Sequence, residues 1–263
     1  GRQAMMEIGS TALSLLLCGI GGVFVGFIDS IAGGGGLVSL PMLLAMGLPP
    51  NLAIGTNKLA AACGNVVSSI QFIRAGKTKL SLAWRMIPLA LAGSAAGSAF
   101  MIYLPEGVLR PLLLAVLAAT AAVVFFKRDI GRNSASESAK VFSAKILAAS
   151  FAIGAYDGFA GPGAGTFMVI VFAMVGFDFV VAAGNAKILA VGTNCTSLLL
   201  FIMWDQILYE YAVVLAAGLM IGAYFGSRTA IRRGAPFIRF VMMAVTIALL
   251  GKLLLEYGQA YLL

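Results

Sequence analysis

Long apolar blocks, separated by short polar or glycine-rich breaks, dominate this chain. Residues 8–28, 52–73, 80–104, 108–126, 141–159, 187–203, 207–230 and 237–255 form runs close to the roughly 20 residues that cross a bilayer as helix. Two further runs, 37–48 and 166–177, are too short to cross perpendicularly if regular, and each follows a glycine-rich interruption, AGGGGL at 32–37 and AGPGAGT at 160–166. The pattern predicts an all-α polytopic membrane protein, with some elements short, broken or re-entrant at the glycine loops.

The polar positions inside the blocks repeat. GTNKLAAACGN and GNAKILAVGTN pair Lys58 with Lys187 and Asn65 with Asn194, both 129 positions apart. The same offset relates Gly47 to Gly176, GSAAGS at 93–98 to GAYFGS at 222–227, and Arg110 to Arg239. DSIAGGGG from Asp29 matches DGFAGPGAG from Asp157 at 128, so the second copy has one extra residue in its glycine loop. The chain therefore reads as two repeats of about five helical elements each, 6–127 and 143–263, joined by a polar linker at 128–142. The GSAAGS and GAYFGS segments have the small-residue spacing of close helix packing.

Charge placement adds orientation. Thirteen of the 18 basic residues fall in three clusters: Arg74, Lys77, Lys79 and Arg85; Lys127, Arg128, Arg132, Lys140 and Lys145; Arg228, Arg232, Arg233 and Arg239. Basic loops stay in the cytoplasm. The first cluster follows the third element of half one, but the matching place in half two carries Asp205 and Glu210; the third follows the fourth element of half two, where half one has Glu106. The halves are expected to be inverted, as an odd number of elements per half requires, with a cytoplasmic linker and both termini outside the cytoplasm. Inverted repeats are a transporter architecture with a midplane site.

Composition agrees: 61% hydrophobic, 11% charged and a mean hydropathy of +1.00, against about a quarter charged in soluble domains. The net charge of +8 is that of the basic loops, so nucleic-acid binding is not expected. Cys18, Cys63 and Cys195 lie in apolar runs without metal-ligand or disulfide spacing, and the absence of histidine removes the commonest metal ligand and catalytic base. No metal, cofactor or catalytic residue is expected, and the chain is not expected to be an enzyme. GRQAM, residues 1–5, reads as a cloning remnant, and self-association is left open.

A lysine at a helix centre costs roughly 2.5–3.5 kcal/mol on insertion scales, so it is kept where it snorkels, pairs or lines a wet cavity. Asn65 lies seven residues after Lys58, and Ser69 eleven after, on one helical face; Lys187 and Asn194 repeat the stripe, but Leu198 replaces Ser69. Two such stripes meeting would offer ammonium and amide donors to a small anion. Snorkelling is the alternative for the lysines, and interhelical packing for the asparagines. Thr56, Asn57 and Asn185 are neighbouring candidates. Gly34, Gly35 and Gly36, with Gly163 and Gly165, lie where freed backbone N–H groups at a helix start favour an anion. Asp29 and Asp157 are candidates for proton coupling, for capping or for pairing with lysine; an Asp29–Lys58 pair would leave the first stripe already neutral.

With these residues in place, the chain resembles the sulfite exporter TauE/SafE family, also catalogued as 4-toluene sulfonate uptake permeases. The likeness rests on DSIAGGGG followed by SLPMLLAMGLPPNLAIGTNKLAA, and on DGFAGPGAGTF with AAGNAKILAVGTN, and it extends from Met6 to about Tyr257. The resemblance implies a permease of the bacterial inner membrane for sulfur-containing anions such as sulfite or organosulfonates. It places substrate contact at the glycine loops and at the two lysine–asparagine pairs. Ala186 at the repeat position of Asn57, and Leu198 at that of Ser69, imply an asymmetric site. An anion channel would use the same residues; a membrane scaffold would need none of them.

Overall fold

The computed structural model describes residues 2–109, 111–113, 115, 116, 119, 144–174 and 176–262. Its named helices are α1 (Arg2–Ala32), α2 (Gly36–Ala45), α3 (Pro50–Arg74), α4 (Leu80–Ile102), α5 (Ala144–Phe159), α6 (Ala164–Met174), α7 (Phe179–Met203) and α8 (Tyr209–Leu262). Residues 106–109 and 111–113 are also helical. Most of the expected run 108–126, Arg110 and the linker 128–142 lie outside the described residues.

The chain is an all-α polytopic membrane protein. Ala12–Ala32, Trp84–Ile102, Phe179–Met203 and Tyr209–Val245 are long and apolar enough to cross a bilayer. The short helices α2 and α6 stand where the short apolar runs predicted them. Large apolar side chains such as Leu16, Phe24, Phe100, Leu199 and Phe240 are exposed on the outside, whereas Lys58, Lys187, Asp157, Asn57, Asn65, Asn185 and Asn194 are buried within. That distribution suits a surface solvated by lipid tails, where apolar side chains lose nothing by facing outward.

Several ends differ from the apolar runs for identifiable reasons. α7 begins eight residues before Lys187, because Asp178 caps it, its side chain accepting from Val180 N at 3.0 Å. α3 begins at Pro50, the first helical position, where a missing N–H is harmless. The two runs expected at 207–230 and 237–255 are continuous as α8 except at Gly234 (φ 75°, ψ −168°), two residues before Pro236, whose ring and missing N–H prevent a regular turn there.

Helices pair at very short range through glycine. α4 lies on α5 so closely that a Cβ at Gly93 or Gly97 would overlap the carbonyl oxygens of Phe151 and Ala155. α8 lies on α1 in the same way, Gly222 and Gly226 sitting on the carbonyls of Val23 and Phe27. α3 and α7 cross between these pairs, and the loops that follow them dock reciprocally. Lys79 N donates to Asn185 Oδ1 at 2.8 Å, and Leu208 N donates to Thr56 Oγ1 at 3.0 Å. Gly184 abuts Lys77 O as Gly55 abuts Gln206 O. Each contact recurs with the halves exchanged, residue i on j and j on i, the pattern of a two-fold interface.

The loops also sort by charge. Lys79 lies 5.4 Å from the Phe177 ring centre and Arg239 lies 4.3 Å from that of Phe179, so the first and third basic clusters share one end of the molecule. The opposite end gathers the 47–50 turn beside Glu106, and Asn51 donates to Gln206 Oε1 at 2.5 Å next to Asp205.

The glycine contacts are testable. Gly93→Ala and Gly222→Ala are each expected to lower stability by about 1–3 kcal/mol through overpacking, measured by thermal unfolding in detergent. Gly107→Ala, with open space around its added Cβ, should change stability by less than about 0.5 kcal/mol.

Candidate functional site

α1 and α5 each stop at a glycine with positive φ, Gly33 at 73° and Gly161 at 69°, a backbone region that costs a side-chain-bearing residue energy. The chain then re-enters helix as α2 and α6. Asp29 and Asp157 sit in the last turn before each break, and the breaks face one another: Gly33 abuts Gly165, and Thr166 Oγ1 donates to Ala32 O at 2.8 Å.

The crossing helices deliver the cations. Lys58 on α3 and Lys187 on α7 are 1% and 2% exposed, so neither snorkels to the surface. The pairing crosses the halves. Lys58 Nζ donates to Asp157 Oδ1 at 2.9 Å and to the Asp157 carbonyl oxygen. Lys187 Nζ donates to Asp29 Oδ2 at 2.6 Å and to Asn65 Oδ1 at 3.1 Å. An Asp29–Lys58 pair within one half does not form; each aspartate takes the lysine of the other. Pairing is what burial demands, since an isolated ion in a low-dielectric interior carries a large desolvation cost.

Around these four charges lies a cavity of about 30 Å³, room for about one or two waters. Asp29, Lys58, Asn57, Asn65, Asp157, Lys187 and Asn194 line it, together with Gly33, Gly36, Gly161 and Gly165. Two lysines and two aspartates give its wall no net formal charge.

The remaining candidates divide by position. Asn57 lines the cavity while accepting from Ser39 Oγ at 2.6 Å, and Asn194 Nδ2 donates to Ala190 O at 2.8 Å and reaches Asp157 Oδ2 at 3.5 Å. Thr56 and Asn185 are away from the cavity, their oxygens committed to the loop N–H groups of Leu208 and Lys79. Gly34, Gly35 and Gly163 are not in its wall; the Gly35 N–H is turned onto Asp29 Oδ1 at 2.9 Å. Ser69 is buried, and its hydroxyl has no hydrogen-bond partner among the described residues. Sequence reasoning missed Ala61, Ala160, Met168 and Ala190, and of the loop glycines it missed Gly33 and Gly161; these complete the wall. Ala61 and Ala190 were findable, each three residues after its lysine on the same helical face.

The crossed pairs predict a non-additive double-mutant cycle. Lys58→Met or Asp157→Leu alone should cost about 3–5 kcal/mol, because each leaves a buried charge unpaired. Lys58→Met combined with Asp157→Leu should cost far less than the sum, measured by unfolding in detergent; additive single effects would exclude the pair as a structural unit.

Comparison with known proteins agrees with this architecture. The family model described as Sulfite exporter TauE/SafE matches residues 18–253. The chain is 32% identical over 254 residues to a "Probable membrane transporter protein" of Haemophilus influenzae, covering 96% of this chain and 98% of the relative. It is 34% identical over 242 residues to "Probable membrane transporter protein YfcA" of Escherichia coli K12, covering 91% and 90%. It is also 32% identical over 232 residues to "Probable membrane transporter protein ORF9" of Sinorhizobium sp., covering 88% of both. No solved structure matches it. Matched by the family model over most of its length, and by relatives along nearly all of theirs, the chain belongs to the sulfite exporter TauE/SafE family.

Proposed function

We propose that this protein is a secondary transporter for small sulfur-containing anions, sulfite or an organosulfonate, working by alternating access around the central cavity. The observation that carries the reading is the pair of buried lysines, each held by an aspartate of the other half where a broken helix ends. Intramembrane charges are retained for function more often than for stability, and broken helices at matching places in two repeats mark transporter binding sites. The family and the printed names of the relatives point the same way.

In this reading the two halves are inverted repeats, supported by their exchanged contacts and by the odd number of elements expected in each. Segregation of basic loops to one end supports placing that end in the cytoplasm of a bacterial inner membrane, with both termini on the other side. Substrate enters by separating the halves, since a cavity of about 30 Å³ is smaller than a sulfonate. Opening also breaks at least one crossed pair, which frees an ammonium group for the anion. Phe72 and Phe201, both fully buried, pack against Gly184 and Gly55 beside the docked loops.

Binding is read by thermal shift of the purified protein with sulfite, thiosulfate and small sulfonates. An anion at a hundred times its Kd should stabilise the wild type by about 2.7 kcal/mol. Lys58→Gln with Lys187→Gln should abolish that gain, and equal stabilisation of both proteins would remove the lysines from the site. In liposomes, saturable flux with counterflow is expected; unsaturable current without counterflow would make the protein a channel.

A further inference from the structure

The two crossed pairs look equivalent in sequence but are held differently. Asp29 has a strong donor on each carboxylate oxygen: Gly35 N at 2.9 Å on Oδ1 and Lys187 Nζ at 2.6 Å on Oδ2. Lys187 is fixed in turn by Asn65 Oδ1 at 3.1 Å. In the second half the glycine loop is one residue longer and contains Pro162, which has no N–H to offer. The N–H of Ala164 turns back to Gly161 O at 3.0 Å. Among the described residues no backbone N–H reaches the Asp157 carboxylate. Its Oδ1 depends on Lys58 at 2.9 Å, and its Oδ2 has the long 3.5 Å contact from Asn194 Nδ2, whose shorter hydrogen bond goes to Ala190 O at 2.8 Å.

Removing the lysine therefore has different consequences in the two halves. Asp29 keeps the Gly35 donor. Asp157, 5% exposed, would keep one long amide contact, too little to offset the cost of burying a carboxylate charge. The other titratable groups in the cavity wall are Lys58, Lys187 and Asp29; α2 and α6 bring it only Gly36, Gly165 and Met168.

We propose that Asp157 is the proton carrier of the site and that Lys58 is the lysine that takes the substrate. This rests on the transport reading above. An anion approaching Lys58 displaces the Asp157 carboxylate, and a proton from the same aqueous face binds Asp157 Oδ2. Lys187, Asp29 and Asn65 stay together as a fixed anchor. One negative and one positive charge arrive, so the cavity remains neutral and can close. The device selects monoanions: an alkyl sulfonate or hydrogen sulfite moves with one proton, whereas a dianion would leave an uncompensated buried charge.

Ethanesulfonate is the probe of choice, because its charge stays at −1 and it brings no proton of its own. In proteoliposomes, wild-type protein should accumulate labelled ethanesulfonate about tenfold per pH unit of imposed gradient, with no response to membrane potential. Asp157→Asn should reduce that accumulation ratio to one while a slower exchange persists. Asp29→Asn should lose exchange by tenfold or more. Infrared difference spectra should show a protonated carboxyl band when ethanesulfonate is added to the wild type, and none with Asp157→Asn. Gradient-driven accumulation by Asp157→Asn, uncoupling by Asp29→Asn instead, or voltage-driven uptake by the wild type would each overturn the assignment. Saturable wild-type counterflow without proton movement would defeat this proposal alone; no counterflow with either ethanesulfonate or hydrogen sulfite would defeat the transport reading with it.

Discussion

Two buried lysines among membrane helices have to be neutralised by aspartates, one buried and one partly buried, and the chain does so only by bringing its halves together. Lys58 without Asp157, or Lys187 without Asp29, would be an unpaired ion in a medium that cannot solvate it. The rest of the fold can be understood as what holds these partners in register. The glycine stops after Asp29 and Asp157 end α1 and α5 where the carboxylates are needed, and the crossing of α3 and α7 brings each lysine across to the opposite half. Glycine-to-carbonyl packing of α1 on α8 and of α4 on α5 provides a rigid frame around that centre.

Such an arrangement is suited to change as much as to stability. A buried ion pair contributes little net stability, because its attraction is largely offset by desolvation of both partners. The cavity it encloses is small and without net formal charge, so any ion that enters must either replace one partner or bring a compensating charge. Because Lys58 and Asp157 belong to different halves, parting them and exposing their charges would be one movement. That coupling links the mechanical frame to the chemistry of the site.

Legibility differed between frame and site. The all-α membrane architecture was readable because continuous apolar runs of about 20 residues cross lipid as helices, which satisfy their own backbones. The lysines, the asparagines two turns along and the aspartates before each glycine break were readable because their recurrence survives divergence between the repeats. Thr56 and Asn185 were selected for standing beside or near the lysines, yet both serve the docked loops that follow the opposite helix. Two positions along a helix turn a side chain by about 200°, so Thr56 and Asn185 face away from the side that Lys58 and Lys187 present. Gly34, Gly35 and Gly163 lie in the expected loops but outside the cavity wall, because only the glycines at the closest approach of the two breaks reach it.

The order of helices, the places where they break and the residue types that carry charge into the membrane were determined by the sequence itself, since each follows from local composition or from a repeat. Only the tertiary structure decided which aspartate meets which lysine, because that depends on how α3 and α7 cross and not on any spacing along the chain. It also decided that the two halves are unequal: Gly35 N–H reaches Asp29, whereas the longer loop with Pro162 gives Asp157 no such donor. One inserted residue is visible in the sequence. Its effect on a carboxylate is a matter of where a backbone N–H points once both halves are packed.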